Sequence, residues 1–154
     1  MPKKATPADA ELILKLYDLR REPEMRKARN WWMAEFWPQT ADDFMKVAMA
    51  FPSQENNWIR QVGGYWDMAA SLVLSGAINE ELFLQPGNSG EMFFIFAKIQ
   101  PFVKELRQKM KSPTAFSNIE KLAMKTKEGR ERIKTMQERF AEFVKRRAET
   151  AKAS

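Results

Sequence analysis

The sequence predicts an all-α fold, an irregular bundle of about six or seven helices, and three observations carry that expectation. Apolar residues recur at three- and four-residue spacing along most of the chain. No segment alternates in the manner of a strand. Proline, glycine and capping residues fall where the periodicity pauses, as they do at helix ends. A chain of 154 residues can bury a real core in one domain. The domain is taken as 1–154, with flexible ends at about 1–6 and 149–154.

Thr6 before Pro7 suits an N-cap followed by proline at the first helical position. Leu12, Leu16 and Leu19 then mark one face, with Ile13 and Tyr17 beside them. Pro23 splits this helix from a second, "PEMRKARNWWMAEFW", which stops before Pro38. Thr40-Ala-Asp-Asp43 resembles a capping box and opens a short helix that ends near Pro52. Ser53 begins a longer one. Gly76 stops it, and Asn79 caps a short helix through Phe83. "LQPGNSGEM" reads as a loop, with Asn88 or Ser89 capping the helix that follows. Met92, Ile95, Phe96, Ile99, Phe102, Val103 and Leu106 form the apolar face of that helix, bent at Pro101. "KSPTAFSNIE" is a linker carrying a second capping box, Ser117-x-x-Glu120. Ile133, Met136, Phe140, Phe143 and Val144 mark the last helix. Their heptad-like run covers only about two heptads, short for a coiled coil.

The absence of cysteine removes disulfides, thiolate metal sites and cysteine nucleophiles. The absence of histidine removes the usual general base and the Glu-x-x-His pairs of helical di-iron sites. Neither of the common phosphate-binding glycine motifs occurs. No cofactor and no metal are therefore expected, and an enzyme is the least favoured class. The N-terminus, MPKKATPADA, lacks the apolar stretch of a secretory signal, and no run reaches the roughly 18 residues of a membrane span. A cytoplasmic protein is expected.

Charge is uneven. Residues 104–154 hold 15 Lys/Arg against 7 Asp/Glu, whereas residues 30–103 hold 3 against 8. Internal complementarity explains this as readily as a polyanionic partner does. The basic clusters "RREPEMRKAR" and Lys145-Arg146-Arg147 are interrupted or flanked by acids, which suits solvated helix faces. Trp31 and Trp32 point 100° apart on a helix, so at least one is expected at an interface or groove.

Residues 58–75 form a helix that is apolar over most of its circumference. The remaining stripe is Arg60, Gly64, Asp67, Ser71 and Ser75. Asp67 is expected to be a buried structural acid. Its neighbours along the helix cannot neutralise it, so a cross-helix ion pair with the Arg/Lys-rich first hairpin (Arg20, Arg21, Arg26, Lys27 or Arg29) is the reading taken. Gly64 and Ser71 would let a second helix approach closely.

Tyr65-Trp66-Asp67, followed by Leu72, Gly76, Ile78, Asn79 and Leu82, resembles a segment of a family of uncharacterised bacterial all-helical domains. The resemblance covers residues 63–83. It implies a helical fold and a bacterial origin, and no activity.

Three functional classes follow. The first is a non-catalytic protein-interaction or scaffold domain, in which Trp31 and Trp32 or the basic end at Lys145, Arg146 and Arg147 meet a protein partner or a second copy. The second is a nucleic-acid-binding regulator using the basic C-terminal helix. The third is a helical pocket for an apolar small molecule.

Overall fold

The computed structural model describes residues 2–154; Met1, part of the expected flexible end, lies outside the described residues. Every regular element among them is helical: α1 Pro7–Leu19, α2 Pro23–Ala34, α3 Ala41–Ala48, α4 Gln54–Leu74, α5 Glu80–Phe83, α6 Pro86–Ile99, α7 Val103–Met110, α8 Ser117–Ala123 and α9 Lys127–Ala153. A 3-10 turn at Gln100–Phe102 joins α6 to α7. The fold is an all-α bundle, with nine helical segments where the sequence suggests six or seven. The extra segments arise at Pro101, which breaks a helix rather than bending it, and at Met124–Thr126, which separates α8 from α9.

The side-chain caps predicted at four helix starts are present. Thr6, Thr40, Ser53 and Asn79 each accept a hydrogen bond from the backbone N–H three residues on. Gly76 follows α4 with a φ of 86°, a conformation open to glycine at little cost. The "PGNSG" segment is a correction: it is not a loop but the first turn of α6. Proline at the first position presets φ there, and Gln85 precedes it without any side-chain cap. Asn88 and Ser89 donate instead to the carbonyls of Leu82 and Gln85.

α4 occupies the centre, packed against α2 on one side and α8 on another. Ile59, Val62, Trp66, Ala69, Ala70 and Val73 are its buried apolar side chains, joined by the buried Asn56 and Gly63. The polar stripe does not receive a neighbouring helix along its length: Arg60, Gly64 and Ser75 are exposed. The close approach occurs one residue away, where a Cβ on Gly63 would lie 3.0 Å from the Phe116 ring.

Trp31 and Trp32 both enter the core, contrary to the expectation that one would lie at an interface. They are 7% and 0% exposed. Trp32 donates its indole N–H to the Trp58 carbonyl at 3.2 Å. Trp31 stacks on Phe36 at 4.5 Å. Two adjacent helical positions can both be buried here because the chain folds back after α2, and Phe36 packs edge-on to Trp32 while stacking on Trp31.

Candidate functional site

Asp67 is half-buried, and its partner is neither arginine nor lysine. Its carboxylate accepts from the Asn118 backbone N–H at 3.0 Å, the Ile119 N–H at 3.2 Å and the Asn118 side-chain amide at 3.0 Å. These backbone groups belong to the first turn of α8, which lacks a side-chain cap from its own chain segment. Asp67 thus caps α8 from across the bundle, where the helix presents about half a positive charge and unsatisfied N–H groups. The expected ion pair is replaced by this contact. It also replaces the predicted Ser117-x-x-Glu120 box, for Phe116 sits at the cap position in the left-handed region and Glu120 pairs with Arg107 at 3.0 Å.

The hairpin arginine expected near Asp67 turns elsewhere. Arg29 grips Glu91 of α6 through Nε and Nη2, with contacts of 2.8–3.0 Å. Glu91 also accepts from the Trp66 indole N–H at 3.0 Å. This is the cross-helix ion pair of the molecule's centre, tying α2, α4 and α6 together.

Lys98 is the charged residue that periodicity did not single out. It is 6% exposed, on α6. Its ammonium donates to the carbonyls of Trp32 and Phe36, the latter at 2.8 Å. Those carbonyls lie at and beyond the C-terminal end of α2, where acceptors lack intrahelical partners and the helix is partly negative. Lys98 also sits over the Trp37 ring, 3.6 Å from its centroid, with Phe94 at 4.8 Å. No carboxylate of the described residues lies within ion-pair distance of it. Burial pushes its pKa down to about 7, helped by the positive charge of Arg147. The one available sequence signal was a lone lysine inside the apolar run Met92–Val103.

α9 closes this region. Phe140 lies edge-on to Trp37 at 5.2 Å and to Phe94 at 4.8 Å, and Phe143 lies 4.7 Å from Trp37. Gln137 donates to the Ala97 carbonyl and to the Gln100 side chain. Between α9, α6 and the segment after α2 lies a half-open cavity of about 140 Å³, bounded by Trp37, Lys98, Phe102, Gln137, Phe140 and Val144. Beyond Val144 every residue of α9 is exposed, so Lys145, Arg146 and Arg147 stand in solvent. Phe143, beside them, is 44% exposed.

Residues 5–126 match the sequence profile of a family described as a domain of unknown function, DUF4760. The chain belongs to that family. The DUF4760 match runs from just before the α1 cap to Thr126, the N-cap of α9, and so extends far past the twenty residues that carried the resemblance. α9 and the wall it gives the cavity lie outside the matched region. No curated protein and no solved structure matches the chain. No enzyme family is indicated, and no helix is long and apolar enough to cross a membrane among the described residues.

Proposed function

We propose that this DUF4760 protein is a non-catalytic interaction domain of the cytoplasm whose contact element is the C-terminal half of α9, binding an acidic protein surface. The observation that carries this reading is the exposed arm. α9 has 27 residues, its last buried residue is Ile133, and from Lys145 to Ala153 no side chain is covered. Lys145, Arg146 and Arg147 have no carboxylate within ion-pair distance. Phe143 adds an apolar contact next to the cations. A protein is favoured over nucleic acid because the basic run is only three residues long and the exposed Phe143 ring beside it offers an apolar contact that a protein surface can bury and a duplex phosphate backbone cannot. Trp31 and Trp32 take no part, being buried.

The test is fluorescence anisotropy with a labelled poly-glutamate peptide and a random-sequence DNA duplex, using the parent and the variant K145E/R146E/R147E. Salt-sensitive peptide binding that weakens about tenfold or more in the variant is expected. Tighter binding of the duplex would move the nucleic-acid reading ahead. Binding of neither probe, with concentration-dependent dimerisation in sedimentation, would point to a second copy of the chain instead.

A further inference from the structure

We propose that the cavity beside Lys98 is a binding site for a small apolar monocarboxylate, with the Lys98 ammonium as its anion-recognising group and the Trp37, Phe102 and Phe140 rings as its apolar walls. The size is suitable: about 140 Å³ is close to the roughly 150 Å³ of an engineered apolar cavity that takes up benzene. The walls are largely apolar, and the polar ends belong to Lys98, Gln39 and Gln137. Both glutamines already donate within the protein, Gln39 to the Trp37 carbonyl and Gln137 to Ala97 and Gln100. Lys98 is different. Two of its three N–H groups go to the carbonyls of Trp32 and Phe36, and the third has only the rings of Trp37 and Phe94 nearby.

Charge argues in the same direction. Arg29 and Arg107 each have a carboxylate at 2.8–3.0 Å, and Arg132, less deeply covered than Lys98, rests on the Phe93 ring and the Ser89 hydroxyl. Lys98 has no such carboxylate, and the charge that acts on it is another cation, Arg147. A buried ammonium without a counter-charge is costly, and a carboxylate seated against it would form a charge-assisted bond while its apolar body fills the cavity. A neutral ligand of the same shape would gain only the apolar part. The site is half-open, so a ligand can enter without unfolding the bundle. α9, which supplies Gln137, Phe140 and Val144, is the wall outside the region matched to DUF4760. The site would therefore belong to this chain's own extension of the domain.

Calorimetric titration with benzoate and with its neutral isostere benzamide tests the proposal on the full chain. Benzoate is expected to bind saturably and benzamide at least about tenfold more weakly, the weight of one charge-assisted hydrogen bond. Nuclear Overhauser contacts from the benzoate ring to Phe140 and to the Lys98 methylenes should locate it. Val144→Trp, which fills the cavity from α9, should abolish binding while the melting transition stays cooperative. Lys98→Met should bring benzoate down to the level of benzamide. Should Lys98→Met fail to fold, the isostere pair and Val144→Trp still decide. No saturation by about 10 mM benzoate, equal affinity for the two ligands, or unchanged affinity in Val144→Trp would each overturn the proposal.

Discussion

Asp67 and Lys98 solve the same problem at two different depths. Each is a charged side chain on a mostly apolar helix, and each lacks an ion-pair partner. Each instead meets the end of a neighbouring helix whose partial charge is opposite to its own. Asp67 takes the amides that open α8, and Lys98 takes the carbonyls at the close of α2. The difference is water. Asp67 stays half-exposed, so its contact is an ordinary cap whose loss water can partly repair. Lys98 is covered by α6, Trp37 and α9, so its charge carries a desolvation cost that shows in its depressed pKa. A helix end can stand in for a counter-ion, but it compensates fully only where solvent helps.

The strongest way to separate the two sites is to disturb α9, which covers Lys98, whereas the hydrogen bonds of Asp67 go to α8. Gly129 sits in the first turn of α9, and a Cβ there would lie 2.1 Å from the Ala123 carbonyl oxygen. Backbone cannot yield to that overlap as a flexible side chain could. Gly129→Ala is expected to cost about 2 kcal/mol or more and to shift α9 from its seat. Chemical denaturation gives the first quantity. The second is read by exchange of the Asn118 and Ile119 amides, which should stay protected while Lys98 becomes accessible to amine-modifying reagents. Parent-like stability would mean that the α8–α9 junction is looser than its geometry indicates.

Lys98→Met comes next, and its signature is pH. The Lys98 pKa is about 7 in the folded protein against an ordinary 10.5. The folded state therefore binds fewer protons between those values, and the parent gains stability as pH rises through that window and loses it as pH falls towards 7. Met does not titrate. The stability of the parent relative to Lys98→Met should thus rise by about 2 kcal/mol between about pH 7 and pH 9. The carbonyls of Trp32 and Phe36 pull the other way by favouring the ammonium, so a smaller rise measures how well the α2 terminus compensates. No rise at all would place Lys98 on the same footing as Asp67.

For Asp67 the expected loss is smaller than an ion pair would give. Asp67→Ala removes contacts to two backbone amides and one side chain, and should cost about 1–2 kcal/mol, the range of a helix cap, because no buried cation is left behind. Asp67→Asn should cost less, since an amide oxygen can still accept from Asn118 and Ile119. Denaturation of the two variants checks this. A loss of about 3–5 kcal/mol for Asp67→Ala would restore the idea of a stranded cation.

These two residues also mark what could be read from the sequence. Helix starts were legible at Thr6, Thr40, Ser53 and Asn79, where the capping group lies within the same turn and its chemistry is local, whereas the equally local cap of Thr126 on the Gly129 N–H is hidden because the break at Met124–Thr126 is so short. α8 was misread because its cap comes from Asp67, about fifty residues earlier, and no local pattern encodes a contact made in space. The need of Asp67 for a partner was legible; the kind of partner was not, because a carboxylate is satisfied as well by amides as by a guanidinium. Trp31 and Trp32 were misplaced for a related reason. A helical wheel treats a helix as if one neighbour covers one side, whereas Phe36 returns over both rings. Lys98 escaped because periodicity looks for apolar positions and passes over the polar one among them.

The smallest effect belongs to the exposed arm. Lys145, Arg146 and Arg147 stand in solvent, so reversing each should change stability by no more than about 0.5 kcal/mol. They are nonetheless unequal, because Arg147 alone among the three acts on Lys98, holding its pKa down by like-charge repulsion. Arg147→Glu should raise the Lys98 titration midpoint, since the ammonium would then face a negative charge. Lys145→Glu should leave it where it is. Carbon-13 NMR of the lysine ε-carbons, with Lys98 assigned by Lys98→Met, follows both midpoints. Asp67, at the contact of α4 with α8, should keep its contacts to Asn118 and Ile119 in either variant. An unmoved Lys98 midpoint in Arg147→Glu would mean that the arm and the buried lysine are electrically independent. The desolvation of Lys98 would then account by itself for the contrast with Asp67.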